Sequence, residues 1–189
     1  MPVSDIIALG ASSGGVGALK KVVSHFPRDL AASVFVVLHV SADATSVLPE
    51  ILTNAGSLPA RHAEDGWAVE RRRIYVAPPG SDMTVLDRRI RLGSGARGSL
   101  YRPAINALFR SVAGEFGSRV VGVVLSGSLE DGAAGLLAIQ QRGGVVIVED
   151  PETAEYRSMP DSALAMVAAD FVLPLAAIGP KLVELVGRE

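Results

Sequence analysis

The chain has 189 residues, 49% of them apolar and 20% charged, a composition that supports one buried core and excludes a disordered or low-complexity polymer. Eighteen basic residues against twenty acidic ones leave a formal charge of −2, which argues against partners such as nucleic acid or an anionic membrane surface. The absence of cysteine removes disulfides, thiolate metal sites and a cysteine nucleophile, and it fits a cytoplasmic location. The sequence after Met1 carries no export signal and no apolar run of the ~18 residues needed to span a bilayer.

The first apolar run, Ile6-Ile7-Ala8-Leu9, breaks into Gly10-Ala11-Ser12-Ser13-Gly14-Gly15. It resumes with Val16, Leu19, Val22, Val23 and Phe26 at helical spacing and stops at Pro27. Strand, tight turn and helix follow from that pattern. The turn itself admits three readings. Gly10-x-Ser12-x-Gly14 fits a nucleophile elbow, in which flanking glycines let a sharp turn expose a serine hydroxyl; it also fits a phosphate cradle; and Ser12 or Ser13 can simply cap the helix.

Residues 33–38 are an unbroken β-branched and aromatic run, as expected of a strand covered on both faces, and His39 stands at its end. A short helix over 46–55 and a third short strand over 58–63 come next. From Gly66 the texture changes to short strand-like segments at 71–77, 83–86 and 89–92, which predict an inserted antiparallel β-meander. Arg71, Arg72 and Arg73 lie in it, read as a solvated strand end with an anion site as the alternative. A glycine- and serine-rich loop over 93–99, carrying Arg97, is placed to line a substrate groove.

A helix is expected over 103–116, with Pro103 in its first turn, followed by a buried strand over 120–125. A loop containing Ser126, Gly127, Ser128, Leu129, Glu130, Asp131 and Gly132 leads into a helix over 133–141. A strand over 144–149, a helix over 162–169, a short strand over 171–173 and a helix over 178–186 close the chain. Such alternation predicts one domain, 1–189, of the α/β class: a doubly wound, mostly parallel, Rossmann-like sheet with the meander inserted.

In open α/β sheets the ligand site lies beyond the carboxyl ends of the strands, where strand order reverses. Ser12, His39 and Asp131 each follow a strand of that kind, so three sequence-distant side chains meet if the first strand is central. Serine needs a base to become a nucleophile, histidine is that base near neutral pH, and a carboxylate fixes the imidazole tautomer. The bland alternatives are that Asp131 caps the next helix and that His39 is a satisfied polar residue. His25, near a helix C-terminus, and His62, on an edge segment, read as structural. The α/β-hydrolase order, with a late histidine, is excluded because no histidine follows His62. An NAD(P)-binding short-chain dehydrogenase is a further alternative from the opening glycines. Its Tyr-x-x-x-Lys pair is missing, because Tyr75, Tyr101 and Tyr156 are followed four residues on by Pro79, Ile105 and Pro160.

These residues resemble the catalytic domain of the CheB-type protein-glutamate methylesterases. The likeness runs through Ile6 to Gly15, His39, Ala63-Glu64-Asp65-Gly66, Tyr75-Val76-Ala77-Pro78, Arg102-Pro103, Val121 to Gly127, Asp131-Gly132-Ala133-Ala134-Gly135 and Met159-Pro160. The resemblance implies Ser12 as nucleophile, His39 as base and Asp131 as orienting acid. It implies hydrolysis of glutamyl methyl esters on methyl-accepting chemotaxis receptors and, in many members, deamidation of receptor glutamines, with no cofactor and no metal. Ser13, Ser128 and Arg102 are candidates for oxyanion or substrate binding, through the start of the first helix and the Gly127-Ser128 loop. The family's usual receiver domain does not stand before the first strand of this sequence, which fits either a single-domain member controlled by a separate regulatory protein or a fragment of a longer chain. Leu129 stands where the family has glycine, and Glu130 adds a carboxylate able to raise Asp131 or compete for the imidazole. A catalytically weak scaffolding member of the family is therefore the second reading.

Overall fold

The computed structural model describes residues 4–94 and 103–186. Its centre is a seven-stranded parallel sheet built from β1 (Ile6–Ala11), β2 (Ser33–Leu38), β3 (Ala60–His62), β4 (Arg73–Val76), β7 (Val120–Val124), β8 (Val145–Glu149) and β9 (Phe171–Leu173), in the order β3-β4-β2-β1-β7-β8-β9. Strand β1 is central, paired with β2 from Ile6↔Ser33 to Ala11↔Leu38 and with β7 from Ile6↔Val120 to Gly10↔Val124. Two strands buried on both faces can tolerate no polar face, which is why 33–38 and 120–124 read as continuous apolar runs rather than alternating ones.

The pleat sends Ile7, Leu9 and Ala11 to one side and Ile6 and Ala8 to the other. On the first side they meet α1 (Gly15–Val23), α2 (Leu48–Ala55) and α6 (Leu175–Val186). On the second they meet α3 (Ile105–Phe116), α4 (Ala133–Gln141) and α5 (Ser158–Met166). Each fully buried Leu, Ile or Val in these layers is worth about 1.5–3 kcal/mol relative to exposure. Among the described residues no helix is long and apolar enough to cross a membrane.

The doubly wound parallel architecture is as the sequence predicts, and the inserted antiparallel element is smaller than expected. Among the described residues it is a hairpin of β5 (Asp82–Leu86) and β6 (Arg89–Gly93), turning at Asp87-Arg88, packed on α3 and joined by a single antiparallel bridge from Ala68 to Arg89. The segment expected as the meander's first strand, β4, instead runs parallel between β2 and β3. Its Ile74 and Val76 are buried in one layer and Tyr75 in the other, the two-sided burial of an interior strand that a four-residue run is too short to declare. Helix α5 also starts four residues earlier than the expected 162, at Ser158.

At the amino ends of the strands, Asp5 is buried between Arg71 and Arg119 and accepts from both guanidinium groups. Backbone bonds from Asp5 N–H to Arg119 O and from Ser33 N–H to Asp5 O tie the same point to β7 and β2. The arginine run is thus structural: Arg71 serves Asp5, and Arg73 pairs with Glu70. Burial pushes Asp5 up, but the hydrogen bonds and charges of Arg119 and Arg71 outweigh it and leave the carboxyl below its ordinary range. A lowered folded-state value means the stabilisation is present above the unfolded value of about 3.9 and is lost as pH falls through the folded one. Asp5→Asn should cost about 1–2 kcal/mol in denaturant unfolding at pH 7, since the half-exposed arginines rehydrate, with the gap to wild type closing below about pH 4.

Candidate active site

Ser12 is the first residue after β1, and its N–H donates to Ser126 O just beyond β7. The chain then turns sharply into α1 through Gly14, whose φ of 75° lies in the left-handed region open to glycine. On the far side Gly127 is what lets the β7 loop approach, because a Cβ there would lie 2.8 Å from Ser12 Cβ. The turn is an elbow and not a cap: α1 has Gly14 at its N-cap position and no side-chain capping bond. Ser13 Oγ instead lies 3.1 Å from Ser128 Oγ, which brings two of the predicted residues together.

His39 follows β2, with its N–H on Ala11 O, which sets its backbone across the β1–β2 pair from the residue before Ser12. Its Nε2 lies 2.7 Å from Asp131 Oδ2. Asp131 is 2% exposed and receives two more bonds, from Ile105 N–H at 2.6 Å and Asn106 N–H at 3.0 Å. It does act as a cap, but of α3 rather than of the helix that follows it. Asn106 returns the arrangement, with Oδ1 accepting from Gly132 N–H at 3.2 Å and Gly135 N–H at 2.6 Å at the start of α4. Burial acts to raise the Asp131 carboxyl. The bonds from His39, Asn106 and Ile105 and the imidazole charge override it and hold the group below its ordinary range. Glu130 therefore does neither thing expected of it: Asp131 is lowered, and the imidazole stays on Asp131.

A family model described as CheB methylesterase matches residues 7–182. The chain belongs to the CheB methylesterase family. The crystal structure of the Thermotoga maritima CheB methylesterase catalytic domain superimposes with a TM-score of 0.89 at 30% identity, covering 97% of this chain and 99% of that one. A relative from Methanosarcina barkeri named protein-glutamate methylesterase/protein-glutamine glutaminase is 32% identical over 97% of the chain. One of the same name from Moorella thermoacetica is 37% identical over 98%. The chain spans 53% and 45% of those two relatives, whereas it covers 94% of a Leptospira interrogans relative at 31% identity.

Within this CheB-family site the sequence reading missed three residues. Asn106 is hidden inside a helical pattern. Ser126 clamps the elbow by donating its Oγ to Ser13 O and accepting Tyr156 N–H, both at 2.9 Å. Glu149, 1% exposed at the end of β8, accepts Ser126 N–H at 2.7 Å, and burial, reinforced by the charge of Glu155, leaves its carboxyl raised despite that bond. A polar residue closing an apolar strand was the signal that selected His39, and it marks Glu149 equally well. Arg102 lies outside the described residues, as do Arg97 and most of its loop. His25 and His62 are held by Lys21 O and Ser46 O, away from Ser12. Among the described residues no group of three or more His, Asp or Glu is placed to hold a metal ion.

Asp131→Asn should lower stability by roughly 2 kcal/mol at pH 7, because one of two charge-assisted acceptors is lost while α3 keeps one. The sign follows from the lowered folded value: the wild-type advantage exists above the unfolded pKa of about 3.9 and disappears as pH falls through the folded one. Urea midpoints of both proteins between pH 3 and pH 7 check this.

Proposed function

We propose that the chain is a serine hydrolase that removes methyl esters from glutamyl side chains of methyl-accepting chemotaxis receptors, and deamidates receptor glutamines at the same site. The observation that carries the reading is the 2.7 Å bond of His39 Nε2 to the buried Asp131 carboxylate, formed at the strand end next to Ser12. The names of the family relatives support the substrate class. The work is done in the cytoplasm on the receptor's methylated segment.

With Nε2 committed to Asp131, the imidazole nitrogen left to serve Ser12 is Nδ1. His39 takes the Ser12 proton as Oγ attacks the ester carbonyl, and the ionised Asp131 stabilises the imidazolium that forms. The imidazolium then gives its proton to the departing methoxide, so methanol leaves and a glutamyl-serine ester remains. Water, deprotonated by the same nitrogen, attacks that ester, and this proton passes to Ser12 Oγ as the glutamic acid is released, which then loses its own proton to solvent. With glutamine the first leaving group is ammonia. His39 carries each proton between Ser12, the leaving group and water, and the scheme uses no cofactor.

The oxyanion falls to the N–H groups of Ser13 and Ser128, neither of which donates a backbone bond among the described residues. Gly127 N–H is occupied by Tyr156 O, which narrows the expected Gly127-Ser128 loop to Ser128. The positive end of α1 adds to the same point.

Ser12→Ala and His39→Ala should each reduce methanol release from a methylated receptor fragment by at least about 10³-fold. Retained fragment binding without release from the wild type would favour the scaffolding reading.

A further inference from the structure

We infer that Leu129 is a specificity-determining residue of this site, contacting an apolar side chain of the protein substrate next to the esterified glutamate; this rests on the methylesterase reading above. Leu129 has a φ of 74°, a left-handed conformation that strains a leucine. Folding recovers little of that strain through the side chain, which is 57% exposed.

The backbone, by contrast, is hydrogen-bonded. Leu129 N–H donates to Ser158 Oγ at 3.2 Å, and Leu129 O accepts from Ser158 Oγ and Ser162 Oγ, each at 3.4 Å. The loop therefore holds an apolar side chain outward in a conformation that glycine would adopt more cheaply. Strain retained where the folded chain does not need it points to a requirement met only when something else is bound.

Its position says what that is. Leu129 lies between Ser128, whose Oγ touches Ser13 Oγ beside the elbow, and the carboxylate of Asp131 two residues on. Next to it in the chain, Glu130 borders a depression of about 390 Å³ whose lining combines Ala133, Ala134, Ala165 and Met166 with Asn106, Glu130 and Ser162. Ser162 thus joins the two, as a wall of the depression and a donor to Leu129 O. Met166, exposed at 48%, is the apolar end of that wall. A substrate whose glutamyl ester reaches Ser12 must lay its adjoining residues past Leu129. The partner that matches this exposed leucine is an uncharged apolar side chain of that same segment, and the Glu130 carboxylate next to it disfavours an acidic one.

The test compares wild type with Leu129→Gly, Leu129→Asn and Leu129→Met on two substrates. One is a methyl-esterified receptor peptide with apolar residues flanking the glutamate; the other is N-acetylglutamate γ-methyl ester. Glycine and asparagine both accept φ > 0, so these variants fold, and they should raise KM for the peptide roughly tenfold more than KM for the small ester. Leu129→Met should restore the peptide KM to near the wild-type value, and replacing the peptide's flanking apolar residues by serine should erase the difference between wild type and Leu129→Gly. Equal changes in KM on both substrates, or an unchanged peptide KM, would overturn the assignment while leaving the methylesterase reading intact. If wild type releases methanol from neither substrate, the methylesterase reading fails and this one with it.

Discussion

A buried carboxylate must find hydrogen-bond donors for both its oxygens, and at Asp131 those donors come from elements far apart in the chain. One is the imidazole of His39 at the end of β2; the others are the first free N–H groups of α3. Desolvating the charge costs several kcal/mol before compensation, so the site exists only where both partners are in place. Asn106, in the first turn of α3, closes the arrangement by satisfying the start of α4. Helix capping and histidine orientation are consequently one structural fact. The packing of α3 against α4 and the chemistry next to Ser12 depend on the same two side chains.

The sheet supplies the second requirement, which is convergence. Ser12, His39 and Ser126 come together because β2, β1 and β7 are neighbours and end at the same level, as the Ala11↔Leu38 and Gly10↔Val124 pairs fix. Parallel strands impose that outcome without local design, since every carboxyl end then faces the same way. At the opposite edge the Asp5, Arg71 and Arg119 cluster pins the other ends of the same strands and leaves the catalytic edge without that burden.

What was legible in the sequence follows from this division. Apolar runs such as 33–38 and 120–124 declare themselves because burial on both faces leaves no alternative residue types, and polar residues at their ends stand out by contrast. Strand β4 escaped because four residues carry too little pattern to separate a sheet interior from a hairpin, and the neighbours of Arg73–Val76 are decided by non-local pairing. The capping of α3 by Asp131 was equally invisible. It joins residues 25 and 26 positions apart, and sequence proximity pointed to α4 instead. Leu129 shows a different limit. Standing where the family has glycine marked it as odd, yet only the folded chain shows that it keeps a glycine-like φ and faces solvent.

Strand β1 is buried at all six positions and paired on both sides. Its amides can exchange with solvent only when the molecule opens as a whole, because no smaller fluctuation uncovers them. The serine is therefore mounted on ground that gives way last. The loop from Ser128 to Glu130 hangs from side-chain hydroxyls at the surface and belongs to the class of segments that open with little free energy. Between the two lies the site, with one wall tied into the centre of the sheet and the other held by hydroxyl bonds at the surface.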